Sequence, residues 1–350
     1  MAAKLFIFYM LYFCIPSVYG MKQAPCVFFF GDSLFDNGNN NFLLTFANVN
    51  YPPYGIDYPA GPTGRFSNGK NLPDFLAEFL GFDNPIPPFA TATGANILNG
   101  VNYASGGAGI LDQSGAALGN VMSLNKQLIN HGNTAFKMGL LLGNATRATD
   151  HLNKCLYLSN MGNNDYLSNY LMPKFYASST LFTPQQFAEI LINQYRRQLE
   201  ILYKYGARKV VVFGLGSIAY IPQFRSTNES VDSINRITQQ FYNKLAPLVH
   251  DLNTDLHAAQ FIFINVTNFQ LGDPSTTGIK VRDVPCCVVS KLTGLCDHGK
   301  TPCTNRNEYY FWDNYHPTET VYHAVATRSY AAASPDDAYP TDIRNLVRPH

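Results

Sequence analysis

The chain has 350 residues, with 25 basic and 24 acidic side chains giving a formal net charge of +1. Charged residues make up 14% and aromatic residues another 14%, so there is no electrostatic case for nucleic acid or an anionic membrane surface. The balance favours an apolar or uncharged-polar partner, and the length allows a large core.

In chain order, the first element is not part of the fold. Lys4 supplies a positive start, residues 5–14 an apolar stretch, and Val18-Tyr19-Gly20 a small-residue cleavage site. Residues 1–20 have the pattern of a secretory signal peptide, and no later segment is long and apolar enough for an integral membrane anchor. Removal of residues 1–20 takes Lys4 and Cys14 with it and leaves 24 basic against 24 acidic residues. The six remaining cysteines, Cys26, Cys155, Cys286, Cys287, Cys296 and Cys303, are an even set for an oxidising compartment, with 15 possible pairings. Four of them fall within eighteen residues and point to a stapled loop. A zinc site with His298 is the rival reading. It is disfavoured by the lack of any Cys-x-x-Cys pair, and no metal is expected. Three sequons, at Asn144, Asn228 and Asn265, are candidate glycosylation sites.

With no linker or repeat, residues 23–334 read as a single domain and 335–350 as a C-terminal tail. Five near-continuous apolar runs, at 26–30, 100–104, 155–160, 209–213 and 260–266, predict strands buried on both faces. Helical periodicity between them predicts helices over 71–80, 184–205, 230–256 and 318–330. Thr183 and Pro184 open the second of these and Gly206 closes it. The alternation predicts an α/β fold of three layers, α/β/α, around a doubly wound, mainly parallel five-stranded sheet. The long connection after the first strand contains a stretch, 51–68, rich in Pro, Gly and Tyr, of the kind that shapes a cleft.

The first strand ends abruptly at Gly31-Asp32-Ser33-Leu34, which places Ser33 at a strand's C-terminal end, the edge where open α/β sheets bind ligands. A serine nucleophile there needs a base, an orienting acid and oxyanion donors. Among eight histidines, His316 stands out, three residues after Asp313 in a tight turn before a helix. Donors are available after the second strand, in Ala104 to Ile110, and after the third, in Met161 to Tyr166. Each group alone has an ordinary structural explanation, such as a tight turn or an Asx-turn. All four at C-terminal strand ends point to one site.

These blocks resemble the GDSL esterases/lipases of plants, in the SGNH hydrolase superfamily, whose sheet is flavodoxin-like. The likeness runs from Pro25 to Glu319 and includes Gly64-Arg65-Phe66-Ser67-Asn68-Gly69, Tyr205 to Val210 and Phe311 to Glu319. The resemblance implies Ser33 as nucleophile, His316 as general base and acid, and Asp313 as the residue orienting it. It implies an oxyanion hole from Ser33, Asn164 in Gly162-x-Asn164-Asp165, and a glycine, Gly109, with Gly107 as the alternative. It implies no cofactor. Where many relatives carry a cysteine pair, this chain has Tyr220 and about Ser230.

The expected function is a secreted hydrolase cleaving lipid or other acyl esters, small or polymer-linked, through an acyl-enzyme. An acyltransferase using the same intermediate is the alternative, and a non-catalytic binding protein on an esterase fold is a third reading. The expected destination is extracellular, in the cell wall or apoplast, or else the vacuole.

Overall fold

The structure is a computed structural model that describes residues 22–225, 230–269 and 277–348. The expected signal peptide over 1–20 and the sequon at Asn228 lie outside the described residues. The strands are, in chain order, β1 (Val27–Gly31), β2 (Leu156–Asn160), β3 (Lys209–Phe213), β4 (Gln260–Ile264), β5 (Val281–Pro285), β6 (Tyr309–Phe311) and β7 (Ala338–Tyr339). The main helices are α1 (Leu72–Phe79), α2 (Leu124–Leu142), α3 (Ala145–Leu152), α4 (Pro184–Lys204), α5 (Val231–Tyr242), α6 (Leu245–Asp255), α7 (Glu319–Tyr330) and α8 (Ile343–Leu346).

β1 to β4 pair in parallel in spatial order β1-β2-β3-β4, in the register Val27↔Leu156, Leu156↔Lys209 and Lys209↔Gln260. Successive side chains of a strand point to opposite faces. Phe28, Phe30, Tyr157, Val210, Val212, Phe261 and Phe263 therefore meet α2 to α6 on one side, through residues such as Leu128, Leu199, Phe241 and Leu252. Val27, Phe29, Leu158, Val211, Phe213 and Ile262 meet α1, α7 and α8 on the other, through Leu76, Val321 and Ile343. That is the α/β/α arrangement. β5 and β6 form a separate two-stranded sheet near the disulfide loop. Capping explains where α1 and α4 begin. Asn71 with Asp74, and Thr183 with Gln186, form reciprocal capping boxes, each with a proline in the first turn.

Three expectations are corrected. First, the fifth strand of the sheet is β7, antiparallel to β4, and not 100–104. The latter segment does run alongside β1, with Tyr103 N–H donating to Phe29 O (2.8 Å) and Ser105 N–H to Gly31 O (3.0 Å). Its remaining polar groups are taken up elsewhere: Asn102 N–H by Pro87 O, and Ala104 N–H by the Asn102 side chain. It forms only two isolated bridges, Phe29↔Asn102 and Pro88↔Asn102. Second, 230–256 is two helices, α5 and α6. Pro247 has no N–H to return to Asn243, so the helix stops and restarts with Pro247 in the new first turn. Third, residues 335–348 do not form a separate tail. β7 joins the sheet, and Ile343, Leu346 and Val347 are buried in the second core.

All six cysteines of the folded chain pair: Cys26–Cys155, Cys286–Cys303 and Cys287–Cys296. The first joins the starts of the neighbouring strands β1 and β2. The other two staple the loop after β5. Among the described residues, no helix is long and apolar enough to cross a membrane.

Candidate active site

With 100–104 flanking β1, the spatial order of the parallel segments reverses between β1 and β2. Beyond the C-terminal ends of two such strands is the crevice where doubly wound sheets bind ligands. The chain leaves β1 through Gly31, where an added Cβ would lie 2.9 Å from Phe35 Cβ and 3.2 Å from Asn160 O, so only glycine fits the turn. Asp32 then organises the turn. Its carboxylate accepts the Leu34 N–H (2.9 Å), and its carbonyl accepts the Phe35 and Asp36 N–H groups (3.1 and 2.9 Å). Ser33, half-buried, projects into a cavity of about 340 Å³.

The base side arrives from β6. Trp312 N–H donates to His316 O (2.7 Å), closing the Asp313–His316 turn. Inside it, the Asp313 carboxylate accepts the N–H groups of Tyr315 and His316, both at 2.8 Å. His316 Nδ1 lies 2.9 and 2.8 Å from the two carboxylate oxygens, and Nε2 lies 2.8 Å from Ser33 Oγ. Asp313 is fully buried and His316 only 5% exposed. The Phe66 ring packs on the imidazole with centroids 4.7 Å apart. Ser33, His316 and Asp313 are thus brought into one hydrogen-bonded line from positions 283 residues apart.

The Gly-rich loop after 100–104 is held between two buried carboxylates. Asp36 accepts Gly106 N–H (3.0 Å), and Asp165 accepts Ile110 N–H (2.8 Å), Leu111 N–H (3.0 Å) and Ser114 Oγ (2.7 Å). Burial pushes both carboxyls up to about 6, against these hydrogen bonds, which pull the other way. Within this loop the two candidate glycines lie in different surroundings. Gly109 accepts Leu124 N–H on its carbonyl and sits against Ser114 and Asp165, away from the cavity lining. Gly107 lines the cavity with Ser33 and Asn164, in a left-handed conformation (φ +84°). Among the described residues, neither the Ser33 nor the Gly107 N–H has a partner in the protein. Asn164 Nδ2 donates to Ala108 O (3.2 Å), leaving its second hydrogen free to turn to the cavity.

Several residues of this site escaped the sequence reading. Asn163, beside Asn164, donates to the Asp32 carboxylate (2.9 Å) and accepts Gly216 N–H (3.0 Å), tying the β1, β2 and β3 ends together. Burial raises the Asp32 carboxyl, opposed by the Asn163 amide. Tyr54 Oη donates to Asp313 Oδ2 at 2.6 Å. The only sequence signal for Tyr54 was its place in the Pro/Gly/Tyr stretch. Apart from Phe66, the 64–69 block proves to be scaffold. Arg65 forms a bidentate pair with Asp74 (2.6 and 2.7 Å), and Asn68 Oδ1 accepts Glu319 N–H (2.8 Å) at the start of the helix that follows His316.

Of the two described sequons, Asn144 is exposed and caps α3 through Oδ1, with Nδ2 free of that bond. Asn265 is half-buried, with Nδ2 donating to Asp336 O (3.0 Å). Among the described residues, one His/Cys grouping has metal-like spacing, Cys26, His151 and Cys155, and its two sulfurs are joined in a disulfide.

The sequence model of the GDSL-like lipase/acylhydrolase family matches residues 27–329. A GDSL esterase/lipase of Arabidopsis thaliana is 46% identical over 345 residues, covering 96% of this chain and 95% of its own. A second from the same plant is 45% identical over 336 residues, covering 93% and 92%. A solved acetyl xylan esterase covers 88% of this chain and 99% of its own at 13% identity, but its TM-score of 0.37 carries no argument. Family match and near full-length identity agree that this chain belongs to the GDSL-like lipase/acylhydrolase family of carboxylic ester hydrolases.

Proposed function

We propose that the protein cleaves carboxylic esters with an apolar acyl group through an acyl-enzyme on Ser33. The observation that carries the reading is the line Ser33 Oγ–His316 Nε2 (2.8 Å) and His316 Nδ1–Asp313 (2.8 Å). His316 takes the Ser33 proton as Oγ bonds to the carbonyl carbon. Asp313 holds the imidazole in the tautomer that leaves Nε2 free to accept, and stabilises the imidazolium that forms. The carbonyl oxygen becomes an oxyanion within reach of the Ser33 N–H, the Gly107 N–H and the Asn164 amide. The C–O bond then breaks, and His316 returns its proton to the departing alcohol. A water, deprotonated by His316, attacks the acyl-enzyme, and collapse of the second intermediate releases the acid and restores Ser33.

The apolar preference is supported by the cavity lining, in which Leu34, Phe46, Phe66, Leu118, Leu167 and Phe175 surround the serine and, among the described residues, Asp32 is the one Asp, Glu, Lys or Arg that joins them. Phe46, Phe175 and Leu292 line the cavity and are still 64%, 66% and 86% exposed, forming an apolar rim at its mouth. Secretion is supported by three disulfides in the folded chain.

The test is hydrolysis of p-nitrophenyl acetate, butyrate and palmitate by the mature protein beside Ser33→Ala, with organophosphonate labelling of both. Activity and labelling should vanish together in the variant, and butyrate should exceed acetate. Retention of the wild-type rate by Ser33→Ala would remove the serine mechanism. A rate highest on acetate would remove the apolar acyl site.

A further inference from the structure

We propose that Tyr54 is a positioning residue of this site, its hydroxyl fixing the Asp313 carboxylate that orients His316. The inference rests on the serine mechanism above. Tyr54 is 1% exposed and lies 259 residues before Asp313, so only the tertiary fold brings them together. Its hydroxyl makes two bonds, donating to Asp313 Oδ2 (2.6 Å) and accepting Cys296 N–H (3.0 Å). The amide has a proton to give and the carboxylate has none, so the phenolic hydrogen can only point at Asp313. Burial and the Asp313 charge hold the phenol well above its ordinary range, so the hydrogen stays in place at working pH.

The remaining donors to Asp313 all come from its own turn: the Tyr315 and His316 N–H groups on Oδ1, and the imidazole across both oxygens. Tyr54 is the one donor from outside that turn among the described residues, and it holds the second oxygen. Its platform is equally fixed. Cys296 is bonded to Cys287, whose N–H donates to Trp312 O (3.0 Å), the residue before Asp313. The Tyr51 hydroxyl donates to Cys296 O (2.9 Å) while its ring meets Tyr54 edge-on at 5.4 Å. A closed ring of contacts therefore runs Tyr54–Cys296–Cys287–Trp312–Asp313, anchoring the acid to the disulfide loop and not to the sheet.

Other titratable groups face this assembly: Asp32 towards His316, Tyr315 and Tyr322 towards Asp313, and Asp297 and His298 behind Tyr51. Among the described residues, none of these side chains donates a hydrogen bond to Asp313. Loss of the Tyr54 donor leaves the carboxylate charge less delocalised. The imidazole then faces a more concentrated negative charge, and its orientation is less fixed.

The experiment compares kcat, KM and pH profile on p-nitrophenyl butyrate for wild type, Tyr54→Phe, Asp313→Asn, the double variant and Tyr51→Phe, with thermal midpoints for each. Tyr54→Phe should lose about tenfold or more in kcat with KM little changed, the size expected for one charge-assisted bond. Its acid limb should move to higher pH. In the Asp313→Asn background the same change should have little further effect, and Tyr51→Phe should keep the wild-type profile. A wild-type rate and profile for Tyr54→Phe, or an equal loss with and without Asp313, overturns the proposal. If Tyr54→Phe does not fold, ortho-fluorotyrosine at position 54 keeps both bonds and strengthens the donor. It should move the acid limb to lower pH, and an unmoved limb overturns the proposal. An active Ser33→Ala would instead defeat the underlying mechanism, whereas an inactive Ser33→Ala beside an unchanged Tyr54→Phe defeats this inference alone.

Discussion

Acid sensitivity of the fold should be traceable to one buried histidine that does not line the cavity. His131 on α2 is fully buried against Phe28, Phe30, Tyr103, Tyr157 and Tyr205. Its Nδ1 meets Tyr103 Oη at 3.2 Å, and its Nε2 has no partner among the described residues. Burial without a counter-charge pushes it down to about 3 from the usual 6.5. A base held below its unfolded value contributes stability that is present above 6.5 and is lost as pH falls from there towards 3. At about 1.4 kcal/mol per pH unit, the loss between about pH 7.5 and about pH 4.5 is roughly 2–3 kcal/mol. Asp36 and Asp165 act oppositely. Raised to about 6 from 3.8, they are relieved as pH falls through that window, so the wild-type slope is a balance. The variant His131→Phe isolates the histidine. It keeps an aromatic ring in an aromatic nest, and Tyr103 retains a bond to Thr134. Urea unfolding at the two pH values should show the variant gaining about 2–3 kcal/mol on wild type at the acid end. A difference that does not change with pH, or changes the other way, refutes the reasoning.

Two further outcomes concern the site and its frame. Asn164→Ala should lower kcat about 10²–10³-fold, ~3–4 kcal/mol of transition-state stabilisation, with KM nearly unchanged. A KM effect without a kcat effect would show Asn164 to be only a binding residue. Arg65→Met leaves the Asp74 carboxylate, 4% exposed, without its guanidinium, and should destabilise the fold by roughly 3–5 kcal/mol in urea unfolding. A loss under about 1 kcal/mol would mean that the capping bond from Asn71 N–H (3.0 Å) suffices for Asp74.

What was legible in the sequence is what the backbone decides locally. The apolar run into Gly31-Asp32-Ser33 announces a buried strand with a sharp exit, and Asp313 three residues before His316 announces a turn in which a carboxylate meets an imidazole. Both hold because a few consecutive residues determine them. The errors lie where an outcome depends on what arrives from elsewhere. Residues 100–104 have strand composition, yet Pro87 and an Asn102 side chain take the bonds that a continuous ladder would need. Gly107 and Gly109 are indistinguishable in a run of small residues, and only the fold separates them, Gly107 lining the cavity and Gly109 packed against Ser114 and Asp165. Tyr54 carried no signal beyond its place in the Pro/Gly/Tyr stretch, because its meaning lies in a carboxylate 259 residues away.

This division has a physical consequence for how the site is built. Ser33 and Asn164 are carried by β1 and β2, inside the main sheet, whereas Asp313 and His316 are carried by the disulfide-stapled layer with its own small core of Tyr54, Phe66, Leu295 and Trp312. The two halves meet across the cavity at the 2.8 Å contact of Ser33 with His316. Stability of the sheet therefore does not by itself secure the catalytic geometry. That depends on the bonds crossing between the layers, Asn68 to Glu319 and Lys70 N–H to Glu319 Oε1 (3.0 Å), together with Phe66 on the imidazole. Substitutions along that seam should impair the reaction well before they unfold the chain, whereas those at Arg65 or in the sheet should do the reverse.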